Sequence, residues 1–192
     1  MDFLPTGILL FIDNAMNNEG LTVSVVALQS EGKLDVRFLN CQRLELTLPA
    51  NLMGLNTVTN RRLRGFLMGY KALAKDFADT PAAVICGDGF IALGCSQILS
   101  GRSPSSMNPR YGSEWQAISR ALSHSHVFLS RSAKVCPILA SVKRYAELRD
   151  EVMIEKMEQE PRRFFCNPTM TAYTKDEIRA QKALQDEANL FT

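Results

Sequence analysis

Side chains able to grip a phosphate backbone recur along this chain in two groups. The first is Asn60, Arg61, Arg62, Arg64 and Lys71, and the second is Arg102, Arg110, Tyr111, Arg120, Arg131 and Lys134, with only Glu114 against it. Guanidinium groups hold phosphates, and flat guanidinium or aromatic planes, Phe90 among them, stack on unpaired bases. The competing reading is a solvated helix face and a loop with incidental arginines. Two carboxylates stand where turn chemistry alone would also put them. Asp13 ends the apolar run Ile8–Asp13, and Asp88 lies between Gly87 and Gly89. His124 and His126 alternate with serines; they are expected at the surface, and with no carboxylate nearby they make a poor metal site. The five cysteines are scattered, odd in number and without a Cys-x-x-Cys pair. That excludes a complete disulfide framework and structural zinc, and it predicts a reducing, intracellular, cytoplasmic setting.

A formal charge of +2 on 192 residues is nearly neutral, so any nucleic-acid site has to be a local patch rather than a general basic coat. A hydrophobic content of 46% is enough for one sizeable core. The opening apolar run is too short for a signal segment and follows Asp2 rather than lysines. No later stretch approaches the roughly 18 uncharged apolar residues of a membrane helix. A soluble protein with no membrane partner is expected.

The elements that must position these residues follow from periodicity. Ile8–Asp13 reads as a buried strand, Asn14–Gly20 as a turn and Leu21–Leu28 as a second strand. Glu31-Gly32 reads as the next turn and Leu34–Leu48 as a third strand, which makes an antiparallel meander. Pro49–Thr57 is a loop. From Thr59 the apolar positions Leu63, Phe66, Leu67, Tyr70, Leu73 and Phe77 take helical spacing, with Arg61, Arg62, Arg64, Lys71 and Lys75 on the other faces. A short strand over Ala82–Cys86, a helix over Phe90–Ile98 and an irregular Ser100–Ser113 follow. Next come a helix over Trp115–Leu122 with Trp115 in the core, a strand over His126–Ser130 and one long helix over Ile138–Met157. Arg162–Pro168 reads as a linker. Thr174 and Glu177 have capping-box spacing at the head of a last helix, Thr174–Leu190. Its narrow apolar stripe of Ile178, Ala183 and Leu184 needs the domain, a second copy or a protein partner to pack on.

In order and in several motifs this chain resembles the ribonuclease H-like superfamily. Asp13 ends the first strand, where that family places its first metal-binding aspartate. Thr59-Asn60-Arg61-Arg62-Leu63 resembles the family's Thr-Asn-x-x-Ala-Glu-Leu helix opening with one residue missing, and Leu67-Met68-Gly69-Tyr70-Lys71-Ala72-Leu73 continues in its style. Asp88 follows Val84-Ile85-Cys86-Gly87 as the family's next aspartate follows its fourth strand. Arg144-Tyr145-Ala146-Glu147-Leu148 resembles the final Ala-Asp-x-Leu helix. The likeness covers about residues 8–155. It implies an α/β fold with a mixed five-stranded sheet, an antiparallel meander plus parallel strands, flanked by helices. The domain would occupy residues 1–160, with a linker and C-terminal helix over 161–192. Asp13 and Asp88 should then lie on the ends of adjacent parallel strands.

The departures bear on chemistry. The family's helix glutamate falls on Arg62 or Arg61, its Asp-Ser-Gln becomes Asp88-Gly89-Phe90, and its glycine-histidine loop becomes Ser130-Arg131-Ser132-Ala133-Lys134. Its last aspartate is at best Glu147. Two-metal hydrolysis needs carboxylates converging on two Mg²⁺ about 4 Å apart. An arginine in that cluster puts fixed positive charge where a cation would sit, and it can pair with Asp13 or Asp88 or with a phosphate. The resemblance therefore implies a degenerate site, a pseudoenzyme that binds RNA or an RNA/DNA hybrid with no cofactor. The contacts would come from Asn60, Arg61, Arg62, Arg64, Lys71, Phe90, Arg102, Arg110, Tyr111 and Arg131. The first alternative is a divergent Mg²⁺ nuclease using Asp13, Asp88, Glu147 and a further carboxylate such as Glu45. The second is an assembly protein that reuses the scaffold.

Overall fold

The computed structural model describes residues 6–16, 20–32, 35–47, 58–134, 136–149 and 151–161. Three long strands come first: β1 (Gly7–Met16), β2 (Gly20–Gly32) and β3 (Asp35–Thr47). Helix α1 (Val58–Phe77) leads to β4 (Ala82–Cys86) and α2 (Gly89–Leu99). Two single 3₁₀ turns, Pro104–Ser106 and Pro109–Tyr111, precede α3 (Gly112–Ala121). Strand β5 (His126–Ser130) and helices α4 (Pro137–Leu148) and α5 (Glu151–Gln159) complete the described fold.

One mixed sheet holds all five strands in the order β3-β2-β1-β4-β5. β1, β2 and β3 pair antiparallel, whereas β4 runs parallel to both β1 and β5. The α/β architecture expected from the meander and the crossover helix is therefore present. Both faces of the sheet are covered, which is why β1 reads as an unbroken apolar run. Leu10 and Ile12 face α1, α2 and α3 across a core that contains Leu63, Phe66, Tyr70, Trp115 and Phe128. Leu9 and Phe11 face α4 and α5 across a second core of Ile138, Leu139, Val142, Ile154 and Met157. Gly65 lets α1 lie close on the sheet, since a Cβ there would stand 1.8 Å from the Leu21 side chain.

Three expectations need correction. The first two meander strands are longer than predicted: β1 continues through Asn14 to Met16, paired with Val23, Thr22 and Leu21, and β2 runs through Glu31-Gly32. Cross-strand pairing overrides the local turn propensity of Asn and Gly there. The single helix expected over Ile138–Met157 is two helices, broken at Arg149, which is left-handed at φ 50°. The break has no glycine or proline to announce it. It lets Ile154 and Met157 turn back onto the sheet core.

His126 is buried rather than at the surface, being 3% exposed. Its Nε2–H donates to the Phe77 carbonyl at 2.8 Å, and its Nδ1 accepts from the Tyr70 hydroxyl at 2.7 Å. A carbonyl can only accept, which fixes that tautomer. The Tyr70 oxygen in turn accepts the Ser123 N–H. Trp115 is fully buried as expected, and none of the described helices is long and apolar enough to cross a membrane. The linker, Cys166 and the helix expected over Thr174–Leu190 lie outside the described residues.

Candidate nucleic-acid interface

Because β1, β4 and β5 are mutually parallel, their C-terminal ends point to one edge of the sheet. Asp13 follows the register pair Ile12↔Cys86 but lies inside β1, which runs on to Met16, and Asp88 lies two residues past the end of β4, so the two acids share that edge without both ending strands. Gly87 supports the Asp13 carboxylate: a Cβ at Gly87 would stand 2.6 Å from both of its oxygens. Only glycine permits that approach. The N-terminal ends of α1 and α2 reach the same edge, since Arg62 lies 4.0 Å from Asp88 and Asp88 caps α2.

Each carboxylate has an in-chain partner. Asp13 continues the Leu9, Phe11 face of β1 towards α4 and is 8% exposed. Burial pushes its carboxyl up to about 6, against the opposing pull of the Asn14 N–H and of Lys143. The charges of Asp88 and Glu147 push it further in the same direction, which places all three acids in one electrostatic neighbourhood. Asp88 accepts the Phe90 N–H at 3.0 Å and the Ile91 N–H at 3.4 Å, the ordinary duty of an N-cap. Its other oxygen faces Arg62. Glu147 lies 4.0 Å from Lys143 one turn earlier on α4.

Two cations stand beside this set of acids, Arg62 at Asp88 and Lys143 at Glu147. Burial raises the Asp13 carboxyl, and Asp88 also caps α2. Among the described residues no three His, Cys, Asp or Glu side chains are grouped to hold a metal ion. Glu45 is bound by Arg43 at 2.8 Å and Arg149 at 2.9 Å. Their hydrogen bonds and charge hold its carboxyl below the usual range.

Sequence reasoning missed Arg43. Pairing aligns Asp13, Ser24 and Arg43 in one cross-strand row. From there the Arg43 guanidinium donates to the Tyr145 carbonyl at 3.2 Å and the Ala146 carbonyl at 3.1 Å, at the C-terminal end of α4. One row further out, Thr22, Glu45 and Glu147 line a groove of about 300 Å³. Its two acids make it a poor seat for phosphate. No local pattern marks Arg43; only the register of β3 does.

The expected contact residues divide. Arg62 is exposed at the edge, and Arg131 joins it at the end of β5, its N–H bound to the Cys86 carbonyl. Phe90 is 48% exposed at the head of α2, with its ring held edge-on against Trp115 at 5.6 Å. Leu93, one turn on, is also exposed. Asn60 and Arg64 turn instead to α3: the Asn60 amide donates to Glu114, and Arg64 lies 3.7 Å from the same carboxylate. Arg102 is engaged by Gln97 and Ser106. Tyr111 packs against the core, with Arg110 over its ring at 5.9 Å. Arg61 is half-buried, and Lys71 is exposed further along α1.

The fold is ribonuclease H-like. Ribonuclease H1 of the halophilic archaeon Halobacterium salinarum NRC-1 superposes with a TM-score of 0.50 at 10% identity, over 73% of this chain and 96% of that one. The foamy viral protease-reverse transcriptase in complex with an RNA/DNA hybrid gives 0.52 at 12% identity, over 77% of this chain and 21% of that one. The native prototype foamy virus protease-reverse transcriptase gives 0.50 at 13%, over 73% and 20%. This chain thus spans about a fifth of the viral enzymes it resembles. No family model matches the sequence, and no curated protein does either.

Proposed function

We propose that this chain binds nucleic acid, RNA or an RNA/DNA hybrid, at the Asp13–Asp88 edge of a ribonuclease H-like scaffold, and that it does so without a metal and without hydrolysis. The observation that carries the reading is the Arg62–Asp88 pair. It sets a guanidinium beside a carboxylate at the edge where the resemblance would have a glutamate help hold a cation. Arg62 and Arg131 offer donors to phosphates, and the exposed Phe90 ring offers a platform for an unpaired base. The foamy viral protease-reverse transcriptase of similar fold, solved in complex with an RNA/DNA hybrid, supplies the precedent.

The divergent nuclease alternative would use Asp13, Asp88 and Glu147, with Arg62 and Lys143 beside them. The test is a fluorescence-polarisation titration of labelled RNA at several salt concentrations. Wild type should bind with an affinity that falls steeply with salt and depends little on sequence. Arg62→Ala with Arg131→Ala should weaken all sequences alike and flatten the salt slope, while Phe90→Ala should weaken single strands more than duplexes. Unchanged binding in both variants would move the site elsewhere.

A further inference from the structure

A different face of α1 carries charge that the edge site leaves unused. Arg61, Arg64, Met68, Lys71 and Lys75 follow at alternating spacings of three and four residues. On a helix of about 3.6 residues per turn they fall within one strip roughly 80° wide. Leu63, Phe66, Tyr70 and Leu73 are buried on the opposite side, so the strip is the outward spine of the helix. Arg64, Lys71 and Lys75 are exposed along it. Glu114 meets the strip through Arg64, whereas Lys71 and Lys75 enter no ion pair among the described residues. From Arg61 to Lys75 the strip is about 21 Å long at a rise of roughly 1.5 Å per residue. Its first turn is the one that carries Arg62, whose side chain leaves the helix about 100° round from Arg61 to reach Asp88. Asp76 follows Lys75 about 100° round the helix, off the strip.

We propose that this spine is a phosphate track continuous with the edge site: it takes the sugar-phosphate backbone of the strand flanking the segment held there. A single cation would serve any small anion, but a line of cations leading away from a binding edge is complementary to an extended polyanion. The inference rests on the nucleic-acid reading of the edge and adds to it a footprint and a direction, along α1 towards Lys75.

The experiment compares wild type with Lys71→Ala/Lys75→Ala on single-stranded RNA of about 6 and about 16 nucleotides, within the range that one binding module covers. Both lysines are exposed, so the variant should fold like wild type, which circular dichroism checks. The short strand should bind both proteins equally. The long strand should bind the variant about tenfold more weakly, with a salt slope lower by about 1.4, from two phosphates at roughly 0.7 each. Lys71→Arg/Lys75→Arg should retain the long-strand affinity. Equal loss on both lengths, or no loss on the long one, overturns the track while leaving the edge site standing. Wild type binding neither length at low salt overturns the edge reading and the track together. Polyglutamate competing as well as RNA of equal charge would assign the spine to an acidic protein partner instead.

Discussion

Replacing Asp13 with asparagine should stabilise this protein at neutral and alkaline pH. The carboxylate is 8% exposed, and burial lifts its pKa to about 6. In the unfolded chain an aspartate titrates near 3.9. The folded form therefore holds its proton to higher pH than the unfolded form does. Stability from this group is fully present below about pH 4 and is lost as pH rises through about 6. At roughly 1.4 kcal/mol per pH unit between the two titration points, the charged form costs on the order of 3 kcal/mol by pH 8. Asparagine keeps the shape and an oxygen for the Asn14 N–H, which now donates at 2.8 Å, and it carries no charge. Urea unfolding of both proteins between pH 4 and pH 8 reads the difference. Asp13→Asn should gain up to about 3 kcal/mol at pH 8, roughly 6–12 °C in Tm for a chain of this size, and the gap should close towards pH 4. A variant that is no more stable at pH 8, or a gap independent of pH, would refute the argument that Asp13 is a desolvated acid whose burial Lys143 does not offset.

Other perturbations test the frame around the edge. Gly87→Ala should destabilise by about 1–3 kcal/mol, because its Cβ meets the Asp13 oxygens; combined with Asp13→Ala it should cost less than the sum of the single changes, which a double-mutant cycle in urea measures. Arg43→Ala frees the Tyr145 and Ala146 carbonyls and leaves Glu45 to Arg149 alone and should cost about 1–3 kcal/mol, with hydrogen exchange rising first in α4. His126→Ala breaks the buried link from Phe77 to Tyr70 and should cost roughly 2–4 kcal/mol by thermal unfolding.

Where the pattern is periodic, the sequence announces the fold. The apolar run of β1, the helical spacing of α1 and the short strands β4 and β5 all lie where they are expected. The misses have physical causes. Asn14 and Gly20 carry turn propensity, but the ladder with β2 extends both strands past it. Arg149 breaks a helix with a left-handed residue held by its own link to Glu45, and nothing local marks such a contact. His126 reads as a surface residue among serines until Tyr70 arrives from α1 to meet it. At the site, Asp13, Asp88 and Arg62 were legible through the family resemblance. Lys143 and Arg43 were not, because a helix face and a strand register bring them in from distant parts of the chain. Asn60, Arg64 and Tyr111 have the right chemistry for nucleic acid, yet packing commits them to α3 and the core.

The central claim is binding without cleavage at one edge of the sheet. It is tested most directly by incubating wild type with a fluorescent RNA/DNA hybrid in Mg²⁺ and reading anisotropy and strand length from the same sample. The account predicts a rise in anisotropy that salt reverses, with both strands intact. Mg²⁺-dependent cleavage that disappears in Asp13→Asn would contradict it, and so would the absence of any anisotropy change at low salt.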